Sequence, residues 1–560
     1  MYSRFLFYFV GFFLSSVAFG QQTLGLFHYD STSIDGYTLM PPFASSDVHL
    51  LNNCGHVVNT WKTSATPGAN TILKSNGNLL RSVHVENPFN LAGGNGGRLE
   101  EYNWEGELVW SMDLYSDTFS QHHDFKIMPN GNILVLIWEL VPNQIALDNG
   151  KQLDGLPEDV WQESIWELKP EADSGAAIVW KWNTLSHIVQ DADKTKINYG
   201  EISEHPELID FNSHIISNLQ DWLHFNSIDY NADLDQIMVS CHGLSEIYII
   251  DHSTTQAQSS GHFGGKQNKG GDILFRYGNP QIYGRGGAID QVSFKQHDAQ
   301  WIKKGFANAG QIIFFNNGGA RKYSSIDRFA PVVDGPGSYL LQTNKPFGPA
   351  GYDWTYTAPN QTDFYSVNMS AVQPLSNGHL LITESTKGHI FELDQNQKIT
   401  WSYVNPINNK GALEQGAVPI GINVFRGYKY AANSAAFQSK NIKEGARLEL
   451  NALPIHCDDT TGKNVGQDTT GGSNSIFEMA YNLNVYPNPC VNELNIGISE
   501  ATNNASHLVL TNTMGIEVRD VELNPAQSQV NLQDLAAGIY IVRLYNNQDH
   551  FLGQSRLVKR

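Results

Sequence analysis

The sequence predicts an all-β chain, a six-bladed β-propeller followed by a small C-terminal β-sandwich. Three observations carry this. One phrase, an apolar strand, a turn and a strand closing on an aromatic residue, recurs through residues 45–405. Asn-Gly pairs precede several apolar strands, and Asn-Gly is a strong short hairpin signal because both residues accept positive φ. After Cys457 the texture changes to a polar, Gly- and Thr-rich stretch and then to short alternating strands.

The phrase runs from Leu50 to Trp61, from Leu99 to Trp110, and in paired pieces ending at Trp180, Tyr277 and Trp401. The second phrase is Asn76-Gly77, Asn130-Gly131 and Asn377-Gly378, each followed by an apolar strand. Two hairpins per unit make a four-stranded antiparallel sheet, and such sheets repeating every ~40–70 residues read as propeller blades. A degenerate unit over residues 297–354 brings the count to six.

The 560 residues exceed one small module, and 41% hydrophobic against 16% charged content supplies a large core and excludes wholesale disorder. The net charge of −20 argues against nucleic acid, which needs a basic stripe to meet phosphates. Residues 1–20 read as a signal peptide: Arg4, an apolar run, then Ala18 and Gly20 at the −3 and −1 positions. The run is short for a membrane anchor. Export would start the mature chain at Gln21. Residues 21–457 are assigned to the propeller, 458–478 to a flexible linker and 479–560 to the sandwich.

Cys54, Cys241, Cys457 and Cys490 are too few and scattered for a disulfide scaffold, and none forms a CxxC knuckle. A propeller closes by joining its first and last segments. Cys54 and Cys457 sit near those ends, which makes them the expected pair in an exported chain.

The tail carries Tyr486-Pro487-Asn488-Pro489, a strand through Gly538-Ile539-Tyr540 and a Lys559-Arg560 end. It resembles the C-terminal sorting domain of type IX secretion substrates. The resemblance implies the type IX machinery as a partner, passage through the periplasm and outer membrane, and a secreted or surface-attached product.

The histidines carry the chemistry. His123 lies seven residues before Asn130, and Ser370 seven before Asn377. His224 and His297 open the corresponding strands in the intervening units. Four successive blades therefore place a polar residue where the innermost strand begins, at the mouth of the central channel. Three imidazoles could hold zinc, yet no carboxylate or Cys ligand recurs beside all three. Asp124 and Asp298 follow their histidines and are expected on the opposite strand face.

At these residues the chain is similar to the bacterial PAPS-independent aryl-sulfate sulfotransferases. The matching phrases are Gln121-His122-His123-Asp124, Asp221-Trp222-Leu223-His224-Phe225-Asn226-Ser227, Gly278-Asn279-Pro280, Gln296-His297-Asp298-Ala299, Asn316-Asn317-Gly318-Gly319 with Tyr323-Ser324-Ser325, and Asn53-Cys54-Gly55. The resemblance implies a six-bladed propeller and a ping-pong transfer of a sulfuryl group from a phenolic sulfate to a phenolic acceptor, with no cofactor. It implies His297 as nucleophile, His224 and Asn226 as the His-x-Asn pair, His123 as a further site histidine with His122 beside it, and Ser370 as a site hydroxyl. Where the family has an arginine this chain has His242. Either a protonated His242 or Arg321 from the neighbouring loop is then expected to hold the sulfuryl oxygens. Two other readings use the same channel: a metal-dependent hydrolase, and a non-catalytic propeller that binds glycan or phenolic ligands. A homodimer is compatible with the sequence.

Overall fold

The computed structural model describes residues 22–87, 93–152, 159–213, 220–455 and 457, and in the C-terminal part 481–482, 484–497, 505–512, 517–523, 529–536, 538–546 and 551–560. The signal peptide and the linker expected from the sequence lie outside the described residues. The chain divides into two compact units, Met1–Gln467 and Asp468–Arg560.

In the first unit six four-stranded antiparallel groups follow one another. Blade 1 is built from Gly36–Met40, Asp47–Asn52 and Val57–Lys62, with Tyr428–Ala431 from the far end of the unit as its first strand. Blade 2 runs over Pro67–Leu73, Leu79–His84, Gly97–Tyr102 and Leu108–Asp113, and blade 3 over Phe119–Ile127, Ile133–Val141, Val160–Pro170 and Ala176–Asn183. Blade 4 spans Phe225–Asn231, Gln236–Cys241, Glu246–Asp251 and Ile273–Tyr277. Blade 5 spans His297–Trp301, Ile312–Asn316, Ser325–Phe329 and Trp354–Tyr356. Blade 6 comprises Ala371–Pro374, Leu380–Glu384, His389–Leu393 and Ile399–Val404, and Gly25–Tyr29 adds to its outer edge. The ring thus closes twice, with an early strand on the last blade and a late strand on the first.

The core lies between blades. Six apolar clusters fill the six interfaces, from Leu50 and Trp61 against Leu79 and Trp104 around to Trp401 and Tyr403 against Met40 and Leu51. Strand alternation feeds both faces. Ile237 and Val239 join the core towards blade 3, while Met238 between them joins the core towards blade 5.

The aromatic residue that closes the repeated phrase has a structural task. The indole N–H of Trp61 donates to Asn103 O at 2.8 Å, Trp110 to Gly175 O at 3.0 Å, Trp180 to Thr254 Oγ1 at 3.1 Å and Trp401 to Asn53 O at 2.9 Å, and Trp182, two residues past Trp180, donates to Gly271 O at 2.7 Å. Each bond reaches the next blade. In blade 4 the Tyr277 hydroxyl does the same to Gly351 O at 3.0 Å.

Cys54 and Cys457 form a disulfide with Cα atoms 5.7 Å apart, and Cys241 and Cys490 are buried free thiols. In the second unit, Tyr481–Asn482, Phe551–Lys559, Gly538–Asn546, Ala505–Asn512 and Glu517–Glu522 form one sheet. Asn484–Tyr486, Glu493–Gly497 and Gln529–Asn531 form the other, around a core that includes Leu494, Leu508, Val542 and Leu557.

Candidate active site

The innermost strands place the predicted polar residues at one end of the channel. His123, His224 and Ser370 have φ of 48°, 52° and 84°, and Asp298, beside His297, has 55°. These left-handed residues accompany irregular pairing of the inner strand in blades 3, 4 and 5. Such a bulge re-aims a side chain away from the regular alternation.

Four imidazoles from three blades then follow one another: His123 and His224 with ring centroids 4.6 Å apart, His224 and His242 5.1 Å, His242 and His297 5.2 Å. Gly94, at φ 81°, passes over the His123 ring so closely that a Cβ there would overlap it, and its carbonyl accepts the His123 N–H at 2.7 Å.

His297 is held in one tautomer. Asn317 donates through Nδ2 to Ser366 O at 2.9 Å and Met369 O at 3.0 Å, which turns its Oδ1 to His297 Nδ1 at 2.8 Å. Nδ1 therefore carries the proton, and the lone pair is on Nε2, where it accepts the Met369 N–H at 3.1 Å. Burial pushes the His297 pKa down to about 3, so this ring is neutral across the ordinary pH range.

His224 is the opposite case. Burial lowers its pKa, but Asp221, at 2.5 Å from Nδ1, outweighs burial by charge and hydrogen bond, so the net shift is upward. His123 and His242 are both pushed well down, by burial first and then by the charge on His224. The array thus sets one imidazole whose charged form is favoured by its surroundings among three whose charged form is disfavoured.

Behind His123 lies a second tier. His122 stacks on Trp138 with centroids 4.0 Å apart, its Nδ1 is 2.9 Å from His123 Nδ1, and its Nε2 is 2.9 Å from Glu163 Oε2. Glu163 also accepts the Phe225 N–H at 2.7 Å, which fixes the backbone beside His224. Burial and then the nearby Asp221 charge hold its carboxyl well above the ordinary value.

The aspartates after the histidines turn to the other side of this array. Arg426 reaches Asp124 Oδ2 at 3.2 Å and Asp298 Oδ1 at 3.1 Å, fully inside the channel. Asp124, Asp229 and Asp298 each accept a backbone N–H of the next blade's inner strand, from Ile228, Trp301 and Val372. Their side chains brace the ring.

Several sequence expectations change here. His242 is in the array but held neutral, against the expectation of a protonated ring, because burial and two flanking histidines disfavour its charge. Arg321 is not brought to the imidazoles: it lies over Phe294 and Tyr323 and donates to Ser325 Oγ at 3.1 Å. Asn226 donates to Gln296 O at 2.8 Å, while its Oδ1 is buried without a hydrogen-bond partner. The Ser370 hydroxyl is taken up by Ser366 Oγ at 2.8 Å and the Ser385 N–H at 3.1 Å. Among the described residues the group spaced for a metal is His187, His262 and Asp272, none of them from the array.

Sequence reasoning did not single out Asp221 or Asn317, although both stand inside the quoted phrases. Glu163 and Arg426 carried a weaker signal, a charge within an otherwise apolar run. Lys295 carried none.

The arylsulfotransferase (ASST) family model matches residues 71–416, more than half of the chain, and the secretion system C-terminal sorting domain model matches residues 484–559. No curated protein matches the chain. Solved structures similar to it include a protein of unknown function from Bacteroides caccae, at 12% identity over 70% of this chain and 98% of that one, TM-score 0.39. Another is a virginiamycin B lyase from Staphylococcus aureus, at 12% identity over 70% and 91%, TM-score 0.32. The sorting domain supports secretion or display at the outer-membrane surface. The chain belongs to the arylsulfotransferase family and ends in a secretion-system sorting domain.

Proposed function

We propose that the protein transfers a sulfuryl group from a phenolic sulfate ester to a phenolic acceptor through a sulfohistidine on His297. The observation that carries this reading is the pairing of opposite tendencies in one array: a neutral His297 with its lone pair on Nε2, and a His224 whose protonated form is favoured by Asp221. A neutral imidazole is a competent nucleophile, and a nearby imidazolium is a competent acid for a departing phenolate.

In the first half-reaction His297 Nε2 attacks sulfur as the sulfur–aryl oxygen bond breaks. His224 gives its proton to the leaving phenolate. The Met369 N–H that now rests on Nε2 has to give way to the donor. In the second half-reaction neutral His224 takes the proton of the acceptor phenol, whose oxygen attacks sulfur, and the nitrogen–sulfur bond breaks. His297 returns neutral and His224 returns charged. Asn226 has one amide hydrogen left to offer a sulfuryl oxygen. His123 is neutral, and its Nδ1 is paired with His122 Nδ1 behind it.

The test is release of nitrophenol from a nitrophenyl sulfate with and without added phenol. Release that depends on phenol, with phenyl sulfate as second product, supports the transfer. Release to water alone contradicts it.

A further inference from the structure

Sulfuryl transfer needs positive charge on the three sulfuryl oxygens as the bond to the leaving oxygen stretches. The family supplies an arginine where this chain has His242, and that ring is neutral here. The other cations near the array have prior commitments. Arg426 is clamped between Asp124 and Asp298 and also donates to the Tyr428 hydroxyl at 3.0 Å. Arg321 is turned into its own loop. The propeller segments 88–92, 153–158 and 214–219, which are not described, contain no lysine or arginine.

Lys295 remains. It stands two residues before His297 at φ 58°, with its backbone N–H bonded to Ser245 Oγ at 3.1 Å. Its Nζ donates to Gly243 O at 3.0 Å. Gly243 follows His242, and its own N–H donates to Leu223 O, just before His224, at 2.7 Å. The ammonium is therefore tied to the turn that carries His242 and abuts His224. Among the described residues no carboxylate pairs with it, so its charge is uncompensated. An ammonium has three donors, and the Gly243 carbonyl uses one. Its charge is felt at both imidazoles, lowering the pKa of His224 and of His242.

We propose that Lys295 is the cation that grips the sulfuryl group, taking the place of the arginine that the family puts where this chain has His242. The proposal rests on the sulfotransferase reading above. One ammonium and one displaced arginine would be interchangeable in charge and close in position, which makes the substitution testable by moving the charge back.

In full-length protein with nitrophenyl sulfate and phenol, Lys295→Met is expected to lower kcat/KM by about 10²–10³-fold, the loss typical of a missing oxyanion donor. Lys295→Arg should stay within about tenfold of wild type, because the charge is kept. Adding His242→Arg to Lys295→Met should recover at least about tenfold, which a merely structural role for Lys295 cannot produce. Activity of Lys295→Met within threefold of wild type, or no gain from His242→Arg, would overturn the assignment. Calorimetric titration of nitrophenyl sulfate into His297→Ala, with and without Lys295→Met, separates binding from chemistry. If wild type proves unable to transfer, the sulfotransferase reading falls while this titration still decides Lys295. Tenfold weaker binding supports it, and equal binding overturns it.

Discussion

At His224 Asp221 contributes most to raising the pKa, and that gives the enzyme a direction of pH dependence. The pKa lies above the ordinary 6.5, so the imidazolium is present below it and is lost as pH rises through it. His297, at about 3, adds no acid limb until far below neutrality. The donor half-reaction should therefore hold steady on the acid side and fall on the alkaline side. Asp221→Asn should move that fall to lower pH and cost about a hundredfold in kcat/KM at neutral pH, the size of a lost general acid. A stopped-flow pH profile of nitrophenol release reads both; an unmoved profile in the variant contradicts the assignment. Asn317→Ala tests the tautomer. It leaves the His297 Nδ1–H without its acceptor, and a buried unpaired donor costs about 1–3 kcal/mol, so the rate should drop with the melting temperature only modestly changed. The histidines were legible because their spacing to Asn-Gly repeats. Their states were not: Asp221 lies only three residues before His224, but nothing in the phrase tells that its carboxylate turns to the ring, and Asn317 and Glu163 come in from other segments of the chain.

The blade is the unit in which the sequence was most readable. Apolar strands, Asn-Gly turns and closing tryptophans recur, and the recurrence has a cause: each closing indole reaches an oxygen of the next blade. The periodicity marks the closing residue without revealing the bond, because the acceptor belongs to a different repeat. Trp401 is completely buried, and Trp401→Phe should leave the Asn53 carbonyl without its donor. The expected loss is about 1–3 kcal/mol in urea unfolding. No change in stability would show that the bond is incidental. Arg426 was illegible for a similar reason. It sits two residues before Tyr428–Ala431, the strand that returns to complete blade 1, and its partners lie some 300 and 130 residues earlier. Removing it strands two carboxylates in the channel. Arg426→Met should cost about 3–5 kcal/mol, the usual penalty for breaking a buried pair from one side.

Over the whole molecule, closure of the ring is the dominant constraint. An early strand completes blade 6, a late strand completes blade 1, and the Cys54–Cys457 bond spans 403 residues. Ring closure brings these two cysteines together from the two ends of the propeller, and their Cα separation of 5.7 Å lies within the range a disulfide bridges. Cys54→Ser should lower the stability of the oxidised protein by about 2–5 kcal/mol and make it equal to that of the reduced wild type. Unchanged unfolding would mean that the two strand closures suffice. The arginine position was legible only as a gap. The family pattern pointed to His242 or Arg321, whereas the described geometry leaves Lys295 as the available cation, brought to the turn by folding and not by sequence proximity to it.

The proposed transfer stands or falls with His297 carrying the sulfuryl group between donor and acceptor. Wild type incubated with nitrophenyl sulfate alone, quenched at a pH that preserves phosphoramidate-like bonds and digested for mass spectrometry, measures it directly. One sulfuryl added to the peptide containing His297, gone after phenol is supplied, is the expected result, with neither label nor turnover in His297→Ala. A label on another residue, or phenol-dependent turnover by His297→Ala, would contradict it.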